Sequence, residues 1–300
     1  VIDEDIPQDQ PLPTAKPQKP EPVAQAVVLN VASFFKQPKK SDFMIDNLSK
    51  DEHIEKYNNH LNERTTSIQK AVIAKLANPS EITIERDKRS GKPTGYYQRI
   101  SNRLVAHHTD DHFEADGTIR QNDTLTHEYG HLVDYRGHYE KEKDRTKNYW
   151  SSKSVAFRLA FNQDKRALGL DARGEKLKKT LTELRDSLFV KTTEVRELGS
   201  GKTATTEYRL FGMDNADAIS DVIDALVRGR FFDEYNGTWG HGRRYYRERK
   251  GFDIEYAEAF ANLFSLIGVK GEGLREAKRL FPNMVKAVED RLEELANANF

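Results

Sequence analysis

The sequence predicts an α+β fold in which a small antiparallel sheet is followed by a mostly helical body. Two observations predict it. From Glu81 to Asp110 apolar and polar residues alternate, the period of a half-buried strand, whereas most of the chain beyond Asp110 repeats at the period of an amphipathic helix. Glycines fall at turn positions in the first stretch and at segment ends in the second.

Seven of the ten prolines lie between Pro7 and Pro38, among Gln, Lys, Asp and Glu. Residues 1–41 therefore read as a flexible, extended linker that buries too little apolar surface to order itself. Within it Val27, Val28, Leu29, Val31, Phe34 and Phe35 form an apolar patch that reads as a docking segment or short helix. Residues 42–300 read as one folded domain. Helices over Lys50–Leu61 and Thr65–Leu76 open it, the second with Ile68, Val72, Ile73 and Leu76 on one face. The sheet, about 81–110, carries Ile82 and Ile84, then Tyr97 to Ile100, then Leu104 and Ala106, with Gly91 and Gly95 at turns. Asn122 or Asp123 then caps a helix of about 122–135. A helical stretch of about 150–245 includes Ser154–Leu168, Lys176–Phe189 and Asp217–Val227, and helices at about 254–267 and Asn283–Ala296 complete the domain.

Composition excludes several functions. Acidic and basic residues balance at 48 each, so no charge excess favours nucleic acid or anionic lipid as a partner. There is no cysteine, which removes disulfides, thiolate nucleophiles and sulfur-ligated metal and leaves His and carboxylates as the strong metal ligands. The sequence contains no apolar run of the roughly 18 to 20 residues that span a bilayer, so no membrane role is expected. The start at Val1 lacks the basic-then-apolar layout of a signal peptide.

His127-Glu128-Tyr129-Gly130-His131 is the segment that carries chemistry. Histidines four apart on a helix share a face one turn apart, so both rings can reach one ion, which the motif predicts to be Zn2+. Glu128 is offset round the helix, placed to take a proton from water on the metal. Leu125, Tyr129, Leu132 and Val133 keep helical period and anchor the segment in a core. A catalytic zinc needs a third protein ligand, and Glu258 is the best donor. It has Ala261, Asn262 and Ser265 near it, small enough to let another helix approach, while Glu255 one turn earlier is its rival. His107, His108 and His112 compete more weakly. Asp134, three residues after His131, is placed to accept that ligand's second ring N–H. In Gly240-His241-Gly242 and the adjoining Arg243-Arg244-Tyr245-Tyr246, glycines on both sides of His241 suggest close backbone approach, and His241 or a phenol such as Tyr246 could steady an oxyanion.

HEYGH, with Glu258-Ala259-Phe260-Ala261-Asn262 far downstream, resembles the gluzincin peptidases related to anthrax lethal factor and the Pro-Pro endopeptidases. The resemblance implies a zincin-like fold in which a small antiparallel sheet packs on the active-site helix. It also implies His127, His131 and Glu258 as zinc ligands and Glu128 as general base. The Gly-His-Gly segment, the Tyr-Tyr pair and Ile219-Ser220-Asp221-Val222-Ile223-Asp224-Ala225-Leu226 are similar to metallopeptidase-like domains of phage head-morphogenesis proteins and of polymorphic toxins. Over about Ile82 to Phe281, then, the expected activity is a zinc endopeptidase acting on protein or peptide substrates. It would be borne by a phage virion, with capsid proteins as partners, or released as an effector in the bacterial cytoplasm. The alternative is a non-catalytic zinc-binding assembly module of a phage head, for which a base at Glu128 would have no use. The chain departs from lethal factor in two ways. His131 and Glu258 lie much farther apart, so the stretch between must fold out as an insertion, and Gly251 stands where lethal factor places its oxyanion tyrosine.

Overall fold

The structure is a computed structural model that describes residues 45–46, 62–76, 83–87, 96–98, 103–107, 124–137, 151–198, 201–210, 216–235, 240–248 and 253–298. The linker of residues 1–41, its apolar patch, the helix expected over 50–61, and His108 and His112 lie outside these residues. Ten helices are described: α1 Ser67–Leu76, α2 Thr124–Arg136, α3 Val155–Ala167, α4 Gly174–Leu188, α5 Ala216–Leu226, α6 Arg230–Glu234, α7 Gly242–Glu248, α8 Ile254–Val269, α9 Glu272–Leu280 and α10 Pro282–Asn297. None is long and apolar enough to cross a membrane.

Helix α8 is the axis of the molecule. Its sequence, IEYAEAFANLFSLIGV, is apolar on nearly every side and buried from Ala257 to Gly268, as a helix must be when neighbours cover it all round. Helices α2, α5, α9 and α10 pack against it. The α2 crossing is close because it joins two small residues. A Cβ on Gly130 would stand 2.7 Å from the Ala261 Cα and 2.9 Å from its carbonyl oxygen. From the side of α3, Phe157 meets Phe260 edge to face at 5.5 Å and Phe161 meets Tyr256 at 4.6 Å.

The expected α+β architecture, with a small antiparallel sheet packed on the active-site helix, is corrected by this arrangement. Among the described residues every fully buried apolar side chain lies in a helix or in a turn between helices, with the partly buried Tyr97 packed against them. Backbone ladders join β1 Ile45–Asp46, β2 Thr83–Asp87, β4 Arg103–His107 and β3 Tyr96–Gln98 in that order, and the central pair, β2 and β4, is parallel. Alternation in sequence reports a strand's period and leaves its direction and its share of the core open. The helical insertion over 150–245 is corrected as well. After α4 the chain forms a hairpin, β5 Phe189–Leu198 with β6 Gly201–Leu210. Its signal was legible: Val190, Thr192, Thr193, Val195, Thr203, Thr205 and Thr206 are β-branched, and Gly199-Ser200-Gly201 is a turn sequence.

Candidate metal centre

His127 and His131 leave α2 one turn apart, and their rings meet edge to face with centroids 4.7 Å apart. Both present Nε2 to one oxygen, Glu258 Oε2 on α8, at 3.5 Å each. The three ligand atoms lie within 4.8 Å of one another. Donors bound at about 2.1 Å to a tetrahedral ion stand roughly 3.4 Å apart, so the set already has chelating dimensions. The Gly130–Ala261 contact is what brings the two helices near enough. Of the two rival carboxylates, Glu258 is 2% exposed and faces the histidines, whereas Glu255 pairs with Arg228 at 3.6 Å.

Asn262, one turn after Glu258, ties the ligands together. Its Oδ1 lies 3.1 Å from His127 Nδ1, and its amide Nδ2 donates to Asp221 Oδ2 at 3.1 Å and to the Glu258 carbonyl at 3.0 Å. With an amide oxygen at Nδ1, the His127 proton is assigned there, which leaves the Nε2 lone pair for a metal. The Tyr245 hydroxyl donates to Glu258 Oε1 and leaves Oε2 facing the imidazoles. Glu128 is 6% exposed and accepts the Tyr97 backbone N–H.

Electrostatics reflect the crowding of charge. Burial opposes ionisation of Glu258, yet His241, His131 and His127 hold it well below the usual carboxylate range. Burial likewise opposes a charge on His127, but its hydrogen bond to Glu258 and the nearby Glu128 carry it up to about 9. His241 is carried to about 10 by Glu258 and Asp221, again against burial. Glu128 is raised by burial, with His127 and His131 pulling the other way. Without a metal, protons on His127 and His241 offset the carboxylate charge, and a cation would take their place.

The remaining expected residues fall differently. Asp134 is buried, but its oxygens accept the Ser152 backbone N–H at 2.6 Å and the Ser152 hydroxyl at 2.8 Å. It therefore ties α2 to residues 151–153, and His131 Nδ1 has no hydrogen-bond partner among the described residues. His241 does enter the site, with Nε2 3.2 Å from Glu258 Oε2. Tyr246 is 1% exposed, and its hydroxyl has no partner among the described residues. The phenol that reaches the ligand carboxylate belongs to Tyr245, whose ring stacks on His241 at 4.1 Å. Sequence reasoning placed Asn262 only as a small neighbour of Glu258, Asp221 only within a segment of the resemblance, and Tyr245 only as one of two tyrosines near His241 that could offer a phenol to an oxyanion. The spacing of Glu258 and Asn262, one helical turn, was the available signal for the first. Comparison with known family models, curated proteins and solved structures finds no match to this chain.

Proposed function

We propose that this chain is a zinc-dependent endopeptidase. The observation that carries the reading is the convergence of His127, His131 and Glu258 at chelating distances, with a buried carboxylate, Glu128, next in sequence to the first ligand. Two imidazoles and one carboxylate, with no thiolate in the chain, form a donor set that suits zinc in a hydrolytic site. Zinc held there would lower the pKa of a coordinated water to about 7 and polarise a substrate carbonyl.

The chain's own residues would do the rest. Glu128 would take the water's proton and pass it to the leaving amine as the peptide bond breaks. Asn262 keeps His127 in the ligating tautomer, and Tyr245 holds the orientation of Glu258. The amide of Tyr97 steadies Glu128 from β3, the outer strand of its ladder. Among the described residues β3 is an edge strand beside the base, the kind of place where an extended peptide adds by backbone pairing, which favours a protein or peptide substrate.

The test uses the full chain. Elemental analysis should find bound zinc, and His127→Ala or His131→Ala should lower its content by emptying the site those ligands form. Glu128→Gln should retain metal and fold but stop cleavage of an unfolded protein substrate, because an amide cannot accept the proton. Cleavage by that variant at the parent rate would end the reading, as would a parent protein that binds no metal.

A further inference from the structure

Glu258 Oε2 has a third imidazole neighbour. His241 Nε2 approaches it at 3.2 Å and lies 3.9 Å from Asp221 Oδ2. Asp221, His241 and Glu258 thus form a second group of ligand atoms within 4.8 Å of one another, drawn from α5, from the turn before α7, and from α8. We propose that this is a second divalent-cation site, sharing Glu258 Oε2 with the first, so that the centre is dinuclear. The proposal rests on the metal-binding reading above and adds a second ion to it.

The position of His241 is built by its surroundings. Asp224, one turn after Asp221 on α5, accepts the backbone N–H of His241 at 3.0 Å, of Gly242 at 3.4 Å and of Phe232 at 2.8 Å. Gly240 permits this clamp, since a Cβ there would collide with the Asp224 carboxylate, and Gly242 adopts a left-handed φ of 68°. Tyr245 then packs flat on the ring, its planes within 16°. Held this way, the ring turns Nε2 between two carboxylates, where a ligand's lone pair would point.

Two further observations favour a cation. Asp221 Oδ1 is buried without a hydrogen-bond partner among the described residues, although Oδ2 is taken up by Asn262. Four carboxylates, Glu128, Asp221, Asp224 and Glu258, gather around three imidazoles, and among the described residues no Lys or Arg pairs with any of them. One divalent ion would leave that cluster net negative, and two would neutralise it. Paired ions about 3.5 to 4 Å apart can bind the attacking and leaving oxygens of a displacement together.

Titration of the metal-free full chain with Zn2+ is expected to reach about two ions per chain, and with Co2+ to give a spin-coupled pair. Asp221→Asn, nearly isosteric and therefore expected to fold, should bind one ion with the coupling gone, and so should His241→Gln. Either variant combined with His127→Ala should bind none. A parent chain that saturates at one ion, or an Asp221→Asn chain that still holds a coupled pair, overturns the proposal while leaving the first site standing. A parent chain that binds no ion overturns both. Loss of cleavage in His241→Gln with metal content unchanged would also overturn it, because His241 would then act on the substrate.

Discussion

His127 and His131 are presented by α2, whose opposite face, Tyr129, Leu132 and Val133, is fully buried against the core. His241 stands instead in a short turn between two glycines, outside any helix, and is held by backbone hydrogen bonds to Asp224. Both place a ring nitrogen within 3.5 Å of the same Glu258 oxygen. On the α2 side precision comes from helix period and close packing, so it can be lost only by parting the helices. On the His241 side it comes from a few polar contacts to one carboxylate and from backbone conformations that glycine tolerates. The first side should therefore couple metal binding to global stability, and the second should couple it to local order.

The largest effect is expected from Gly130→Ala. The added methyl meets the Ala261 backbone, which cannot swing aside as a side chain would, so stability should fall by about 3 kcal/mol. Thermal unfolding should show a drop of roughly 6 to 12 °C together with weakened metal binding. An unchanged midpoint would mean that the two helices do not cross this closely.

Next in size is Asn262→Ala, which frees His127 Nδ1 and removes the link to Asp221 while leaving the helix in place. Metal affinity should fall by roughly 10- to 100-fold with little change in unfolding. Loss of stability without loss of affinity would make Asn262 a packing residue.

Acidity separates the two states of the site. In the metal-free protein His127 is raised to about 9 and His241 to about 10, above the unfolded value near 6.5. The stability this supplies is full below about pH 6.5 and is lost as pH climbs through 9 to 10. Metal binding runs the other way, since the ions displace those protons and affinity should rise over the same range. Unfolding of the metal-free chain that became harder from pH 7 to 10 would contradict this ordering.

The smallest effect belongs to Glu255→Ala. Its carboxylate reaches Arg228 at 3.6 Å and takes no part in the histidine cluster, so the change should cost under about 1 kcal/mol and leave metal content alone. Glu258→Ala should lose metal, and a reversed ranking would exchange the roles of the two residues.

By itself the sequence determined the α2 side of the site and most helices. HEYGH fixes two imidazoles on one face because helix period is local, and Ser154 and the apolar runs of α3, α5, α8 and α10 mark those helices to within a few residues. It also singled out Glu258 and the glycines around His241. Only the tertiary structure decided that Asp134 serves Ser152 in place of His131, that Tyr245 reaches the ligand carboxylate, and that Asp221 and Asn262 join the cluster. It also decided that the buried core of the described residues is helical and that the central strand pair is parallel. The physical reason is range. A helical period is written within a few residues of chain, whereas a hydrogen bond from α8 to α5, or the direction in which two strands pair, depends on how separate elements pack, and no local pattern records that.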